Sequence, residues 1–189
     1  MLSAEKLVAF PRVVIELGMG DGRLLEILAK ADHRCLHVGV ELDIDQCNQA
    51  SSRVTLDNVL ILNRSFEELL SGLADGSVER FVAVLPDPAY IDENKSERWK
   101  PMYALAYQKL RRGGTFQLVT ELTDELLQPV SDSEFARWKE WLMSTFSSLG
   151  FIISGAREGA PPDYSTRCLD QFRGDSERIR VVTLDLTKQ

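Results

Sequence analysis

An apolar run that ends in three alternating glycines constrains the fold more than any other feature of this sequence. Val13-Val14-Ile15-Glu16-Leu17 leads into Gly18-Met19-Gly20-Asp21-Gly22, and helix-forming residues follow from Arg23. Glycines at this spacing let a buried strand turn sharply into a helix and leave the backbone open to a ligand. The sequence therefore predicts a strand, a tight turn and a helix, with a binding site at the turn.

A second apolar run, downstream of that helix, also ends in an acid. The run Cys35-Leu36-His37-Val38-Gly39-Val40 is followed by Glu41. A carboxylate at the tip of the second strand of a βαβ unit can accept hydrogen bonds from the two hydroxyls of a ribose. The two runs together predict a nucleoside-binding βαβ unit.

The glycine spacing distinguishes between two classes of ligand, dinucleotides and sulfonium compounds. Gly18, Gly20 and Gly22 stand at every second position, whereas the dinucleotide fingerprint is G-x-G-x-x-G, with the helix N-terminus facing a pyrophosphate. Carboxylates at Glu16 and Asp21 would repel a pyrophosphate but suit a ligand with an ammonium and a sulfonium. The pattern resembles the first motif of class I S-adenosylmethionine (SAM) methyltransferases. A dinucleotide site and a purely structural turn are the alternatives.

The composition is that of an ordinary globular domain. The chain has 189 residues, of which 44% are hydrophobic and 27% charged, so it can bury a sizeable core. No apolar run is long enough to cross a bilayer, and no signal-peptide pattern is evident. Three scattered cysteines argue against a zinc site and a disulfide framework. We expect one domain over residues 1–189, in the cytoplasm, with no metal and no membrane partner.

Strand-like and helix-like segments alternate along the chain, which predicts a mostly parallel sheet with helices on both faces. The predicted strands span residues 12–17, 36–41, 58–63, 79–86, 114–120, 151–155 and 178–186. The predicted helices span residues 22–31, 44–53, 66–73, 97–111 and 133–149, and segment 156–177 is expected to be non-helical. Ligands of such sheets bind beyond the C-terminal ends of the strands. The residues expected to gather there are Gly18, Glu41, Ser65, Asp87 and Glu121.

A rigid acidic turn follows the fourth predicted strand. There Leu85 leads into Pro86-Asp87-Pro88, and the two prolines stiffen the exit from the strand. Asp87 either caps a neighbouring backbone amide or faces an acceptor base. Leu-Pro-Asp-Pro differs from the Asn/Asp-Pro-Pro-aromatic motif of amino methyltransferases. It resembles the Phe-Pro-Asp-Pro-Trp motif of tRNA (guanine-N7)-methyltransferases.

The resemblance to this family covers nearly the whole chain. Asn58 to Leu70 is similar to the family's third-strand region, Leu118-Val119-Thr120-Glu121 to its strand ending in Thr-Asp, and Thr166 to Phe172 to its Thr-x-Tyr-Glu-x-x-Phe segment. The resemblance implies a doubly wound, Rossmann-like sheet of seven strands, with the last strand antiparallel beside the fifth. It also implies SAM as cofactor and tRNA as substrate. The implied catalytic residues, which would hold guanine and the methionine end of SAM, are Asp87, Glu121 and Thr166.

Several positions depart from the family pattern. Ala89 replaces the tryptophan after Pro-Asp-Pro, with Tyr90 beside it, and Cys168 and Leu169 replace the tyrosine and glutamate of Thr-x-Tyr-Glu. Ser65 stands where an aspartate often meets the adenine amino group. A methyltransferase for another RNA or a small molecule, or a SAM-binding protein without catalysis, therefore remains an alternative. The predicted cofactor-binding residues are Glu16, Gly18, Gly20, Gly22, Glu41, Leu42, Ser65, Phe66 and Leu85.

The charge distribution bears on RNA binding. The net charge is −7, whereas nucleic-acid-binding domains are usually basic. Residues 95–112, however, hold six Lys or Arg and a single acid, directly after the Pro-Asp-Pro turn. We expect Lys95, Arg98 and Lys100 to contact RNA phosphates; the alternative is an ordinary solvated helix face. Both a monomer and a homodimer are compatible with the sequence.

Overall fold

Strands and helices alternate through the computed structural model, which describes residues 10–123, 126 and 128–189. The strands are β1 (Arg12–Leu17), β2 (Cys35–Glu41), β3 (Val59–Asn63), β4 (Val78–Val84), β5 (Leu110–Thr123), β6 (Ile152–Glu158) and β7 (Ile179–Thr187). The helices are α1 (Arg23–Ala31), α2 (Ile44–Arg53), α3 (Phe66–Gly72), α4 (Ser96–Lys109), α5 (Asp132–Ser148) and α6 (Arg167–Phe172). None of the helices in these ranges is long and apolar enough to cross a membrane.

The seven strands form one sheet in the order β3-β2-β1-β4-β5-β7-β6. Neighbours from β3 to β5 are parallel, and β7 lies antiparallel between β5 and β6. The predicted doubly wound sheet with an antiparallel last strand is therefore confirmed. From β1 the chain winds outward to β3 and then returns to β4 on the other side of β1. Loops after β1 and β4 consequently diverge, and a crevice opens at the C-terminal edge.

The core explains why the parallel strands are almost continuously apolar. Both faces of the sheet are covered, so Ile15 of β1, Val38 of β2 and Phe81 of β4 are all fully buried. The aromatic side chains of α5 also pack inward, since Phe135 and Phe146 are buried against the same face. Helices α4 and α5 thus cover one face of the sheet with a cluster of aromatic side chains.

Segment 156–177 is not wholly non-helical as predicted, because α6 forms within it. The Oγ1 of Thr166 accepts a hydrogen bond from the Leu169 N–H at 3.1 Å and caps the helix. Leu169 is fully buried against Val84 and Val119. A cap and one tertiary contact stabilise this short helix, which shows no apolar periodicity in the sequence.

Strand β5 is longer at both ends than predicted. It begins at Leu110, so Gly113 and Gly114 lie inside it instead of separating it from α4. Gly113 has a φ of +75°, and the β4–β5 register shifts nearby. At its other end β5 continues to Thr123, because the strand remains paired with β7 as far as Ile179.

Candidate active site

A cavity of about 650 Å³ opens at the C-terminal edge, where the loops after β1, β2, β3 and β4 meet. Its volume is typical of small-molecule sites. One wall comes from the chain before residue 68, and the other from residues 83–103 and from α6. The predicted site residues that line it are Gly18, Gly20, Glu41, Leu42, Ser65, Phe66, Leu85, Asp87 and Thr166. Those that do not are Glu16, Gly22, Glu121, Lys95, Arg98 and Lys100.

The glycine turn leaves bare backbone at the cavity wall. Gly18 and Gly20 have φ angles of +74° and +55°, a region that glycine enters without a steric cost. The N–H of Gly18 donates to the Val40 carbonyl at 2.9 Å, which ties the turn to β2. A Cβ on Gly18 would meet no atom within 4 Å, so space beside it is open to a ligand.

Gly22 has a packing role at the start of α1. Its φ is +79°, and a Cβ at this position would lie 2.9 Å from the Ala50 Cβ. The absence of a side chain therefore lets α1 and α2 approach closely. Gly22 faces α2 and does not line the cavity. The predicted contact between Gly22 and the cofactor is therefore absent from the described cavity lining.

Glu41 is held by backbone amides from two loops. Its Oε2 accepts from the Gly20 N–H at 3.1 Å, and its Oε1 accepts from the N–H groups of Leu42 and Asp43 at 2.8 and 2.9 Å. A carboxylate has about four lone-pair sites, so roughly one remains for a ligand. Leu42 beside it is 72% exposed and lines the cavity, which leaves an apolar surface for a flat ring.

The loop after β3 brings two aromatic rings together. Ser65 caps α3 by accepting from the Glu68 N–H at 3.2 Å. This places Phe66 edge-on to Tyr90, with ring centroids 4.7 Å apart. The Tyr90 hydroxyl donates to Glu67 Oε1, and this hydrogen bond, with burial, raises the pKa of Tyr90 to about 12.

The exit from β4 is strained. Leu85 has a φ of +50°, the one positive value at a non-glycine residue in the described ranges. Such a backbone costs of order 1–3 kcal/mol and occurs most often at functional sites. The Leu85 N–H donates to the Val119 carbonyl at 2.8 Å, which holds the strained residue against β5.

Asp87 caps a backbone amide, which is the first of the two interpretations offered by the sequence. Its Oδ1 accepts from the Ala89 N–H at 2.8 Å and so caps the 3-10 helix Pro88–Tyr90. Its other carboxylate oxygen makes no hydrogen bond with the residues that the structure describes. Asp87 is exposed and lines the cavity, so this oxygen is available to a ligand.

Glu16 is buried behind the glycine turn and does not reach the cavity. Its side chain is 1% exposed, and its Oε2 has no hydrogen-bond partner within the described part of the chain. Burial, followed by repulsion from Asp21 and Glu41, raises the pKa of Glu16 well above its usual range. The carboxyl is therefore an unmatched group that a nearby cation would stabilise in its charged form.

Asp21 does not add the free negative charge that the sequence argument assigned to it. Its Oδ2 forms ion pairs with Arg23 at 3.0 Å and Arg53 at 3.4 Å. The sequence argument did not anticipate the contact with Arg53, because Arg53 is distant along the chain.

Glu121 lies inside β5 and not beyond the end of the strand. It pairs in register with Val181 of β7 and does not line the cavity. Its Oε2 is buried without a partner among the described residues, and burial raises its pKa to about 7. The expectation that Glu121 gathers with the other strand-end residues is wrong, because the strand continues past it.

The wall that carries Thr166 is anchored to the sheet by a buried tyrosine. Arg80 Nη2 donates to the Tyr164 hydroxyl at 2.7 Å, and that hydroxyl donates to Gln117 Oε1. Tyr164 is nearly fully buried. This contact fixes the start of the segment that places Thr166 and Arg167 on the cavity wall.

The predicted RNA contacts lie outside the cavity, and two of them have acidic neighbours. Lys95 pairs with Asp92 at 2.7 Å, and Lys100 pairs with Glu97 at 2.8 Å. Arg98 has no ion pair with another described residue. The positive charge of this segment is thus reduced locally.

Several residues that line the cavity escaped the sequence analysis. They are Met19, Gln46, Arg64, Glu67, Tyr90, Met102, Tyr103, Arg167, Cys168 and Gln171. Arg64 and Glu67 flank the predicted Ser65-Phe66 turn, so their position along the chain was an available signal. The sequence carries no local signal for Met102 and Tyr103, because tertiary packing determines which face of α4 reaches the cavity.

Comparison with known proteins assigns the family. The family described as "Putative methyltransferase" matches residues 11–143, more than half of the chain. The tRNA (guanine-N(7)-)-methyltransferase of Campylobacter fetus subsp. fetus is 28% identical over 152 residues, covering 79% of this chain and 38% of the relative. That of Acinetobacter baylyi is 29% identical over 114 residues, covering 58% of this chain and 46% of the relative. The chain thus spans less than half the length of these relatives.

Solved structures share the fold at low sequence identity. The 16S rRNA methyltransferase KamB has a TM-score of 0.73 and 19% identity, covering 98% of this chain and 91% of that one. The Catenulisporales acidiphilia 16S rRNA (adenine(1408)-N(1))-methyltransferase W203A mutant, solved with SAM, has a TM-score of 0.69 and 14% identity, with coverages of 98% and 89%. The predicted methyltransferase class is confirmed by the family match, and the predicted fold is shared with these structures. This chain belongs to the methyltransferase family that its residues 11–143 match.

Proposed function

We propose that this protein transfers a methyl group from SAM to N7 of a guanine in tRNA. The observation that carries the proposal is Asp87, held between two prolines on the cavity wall with one carboxylate oxygen available. The relatives named tRNA (guanine-N(7)-)-methyltransferase support the same acceptor.

The cavity residues fit the cofactor. Gly18 and Gly20 offer bare backbone to the methionine part, and Glu41 keeps lone-pair capacity for a ribose hydroxyl. Leu42 and Phe66 offer apolar surface to the adenine ring. The buried Glu16 Oε2, which has no partner among the described residues, is stabilised in its charged form by a cationic ligand near the turn. Bound SAM supplies a methyl group that its sulfonium already activates.

The proposed chemistry needs little acid–base catalysis. Guanine N7 carries a free lone pair, so no side chain has to remove a proton before it reacts. The protein contributes position and an ordered electrostatic environment. Asp87 accepts hydrogen bonds from the N1 and exocyclic amino edge of guanine, and its charge stabilises the purine as it becomes more positive. Thr166 keeps a hydroxyl hydrogen to donate within the cavity, because its oxygen only accepts in the helix cap.

A second acceptor class is favoured by one observation. Lys95 and Lys100 pair with acids of their own segment, which lowers the positive charge offered to RNA. A methyltransferase of the same fold that acts on a small molecule would need no such charge.

Labelled SAM and bulk tRNA test the proposal directly. The purified protein is incubated with both, and the RNA is digested to nucleosides and separated. We expect the label in 7-methylguanosine. Label in another nucleoside would show that the acceptor is that nucleoside and not guanine N7. Unlabelled RNA together with intact SAM binding would support the small-molecule alternative.

A further inference from the structure

Two guanidinium groups that line the cavity have no counter-ion among the described residues. Arg64 lies in the loop between β3 and α3, and Arg167 is the first residue of α6. Neither forms an ion pair with any residue in the ranges that the structure describes, although most other arginines and lysines there do. Neither guanidinium group is therefore paired with a carboxylate of the described residues.

Arg64 also carries an unsatisfied donor. Its Nε is buried and has no hydrogen-bond partner among the described residues. Its backbone N–H donates to the Glu41 carbonyl at 3.1 Å, which fixes the residue at the cavity wall. A buried N–H without an acceptor costs free energy, because it has lost its hydrogen bond to water. An acceptor on a bound molecule would remove this cost.

The acids of the cavity do not satisfy these arginines. Glu41 accepts from backbone amides, Glu67 accepts from the Tyr90 hydroxyl, and Asp21 pairs with other arginines. Asp87, the fourth carboxylate of the cavity, accepts from the Ala89 N–H and forms no ion pair with a described arginine. The guanidinium groups thus remain available to an anion from outside the chain. Arginine presents a planar set of donors that matches the oxygens of a phosphate.

An acceptor nucleotide supplies such anions. A guanine that enters the cavity carries a phosphate on each side of its ribose, and the two arginines stand on walls built from different parts of the chain. We propose that Arg64 and Arg167 bind the backbone phosphates that flank the methylated nucleotide. This inference rests on the proposed function, since it takes RNA to be the substrate.

Salt dependence of tRNA binding tests the pair, with Arg64→Gln, Arg167→Gln and the double variant. Arg112→Gln is the matched control, because Arg112 is exposed at the opposite edge of the sheet and also lacks an ion pair with the described residues. Arg64→Lys keeps the positive charge at this position. Circular dichroism of every variant shows whether a folding defect explains a loss of tRNA binding. Affinity for S-adenosylhomocysteine is measured by calorimetry on each variant.

We expect each Gln variant to reduce the slope of log affinity against log salt by about 0.7–0.9, one phosphate contact, and the double variant by about twice that. Arg112→Gln and Arg64→Lys keep the wild-type slope, and affinity for S-adenosylhomocysteine stays within about twofold of wild type. Unchanged slopes in the Gln variants overturn the inference. A loss of S-adenosylhomocysteine affinity without a change in slope also overturns the inference. It would mean that the arginines bind the carboxylate of the cofactor and not RNA phosphates. A wild-type protein that neither binds nor methylates tRNA overturns the proposed function as well, whereas active wild type with unchanged variant slopes overturns the arginine pair alone.

Discussion

The Gly20 N–H donates to Glu41 Oε2 at 3.1 Å, so the acid at the end of β2 holds the glycine turn after β1 in place. The same carboxylate lines the cavity. Glu41 therefore joins two loops and also stands where a ribose is proposed to bind, and a change at this position affects both roles.

Glu41→Ala should weaken SAM binding by at least tenfold. Each charge-assisted hydrogen bond that is lost contributes about 1.5–3 kcal/mol, and the turn loses its anchor as well. Calorimetry with SAM measures the effect. Glu68→Ala is the matched control, because Glu68 is exposed on α3 and does not line the cavity. Equal affinities in wild type and Glu41→Ala would move the ribose site elsewhere.

Asp87→Asn should lower the rate of tRNA methylation by about 10²–10³. The amide keeps an oxygen for the Ala89 cap but loses the charge, and it turns a donor toward the guanine edge. Single-turnover methylation gives the rate, and calorimetry should show unchanged SAM affinity. Asp57→Asn serves as control, because Asp57 is exposed and does not line the cavity. A wild-type rate in Asp87→Asn would remove the main support for the guanine-N7 proposal.

Glu121 should make stability fall with pH. Its pKa rises from 4.5 in the unfolded chain to about 7 in the fold because of burial. Its contribution is thus complete below about pH 4.5 and is lost as pH rises towards 7, since the unfolded chain releases the proton first. As pH rises through this window, the free energy of unfolding of Glu121→Gln should increase relative to that of wild type by up to about 3 kcal/mol. Urea unfolding at pH 4.5, 6 and 7.5 measures the gap, and a gap independent of pH would contradict the prediction.

The segment with Lys95, Arg98 and Lys100 should contribute to RNA binding mainly through Arg98. Asp92 and Glu97 offset the two lysines. Converting all three to Ser should lower the salt slope of tRNA binding by about one contact, 0.7–0.9, and Arg98→Ser alone should do nearly the same. SAM affinity should not change. A slope identical to wild type would identify the segment as a solvated helix face.

Gly22→Ala should destabilise the fold more than Gly18→Ala. Both glycines have left-handed φ angles, which cost an alanine roughly 1–2 kcal/mol. Only at Gly22 would the new Cβ meet the Ala50 Cβ at 2.9 Å, which adds about 1–3 kcal/mol of overpacking. Urea unfolding compares the two variants. Equal destabilisation would mean that the helices separate freely at this contact.

Local sequence signals predicted the parts of the site that depend on backbone conformation. The glycine turn, the acid after β2 and the Pro86-Asp87-Pro88 exit lie where the sequence indicated, because each is determined by neighbouring residues. The position of Glu121 was missed because no glycine or proline marks the end of β5 near it, and pairing with β7 extends the strand. Helix α6 was missed because burial of Leu169, a tertiary contact, stabilises it.

The attachment of the Thr166 wall through Tyr164 has an evolutionary consequence. The first wall of the cavity folds from one continuous stretch of chain, whereas the α6 part of the opposite wall belongs to a separate segment that hydrogen bonds to Arg80 and Gln117 fasten to the sheet. Mutation can therefore remodel the α6 segment while the glycine turn stays intact. Laboratory selection for new acceptors is therefore best directed at residues 165–171, four of which line the cavity.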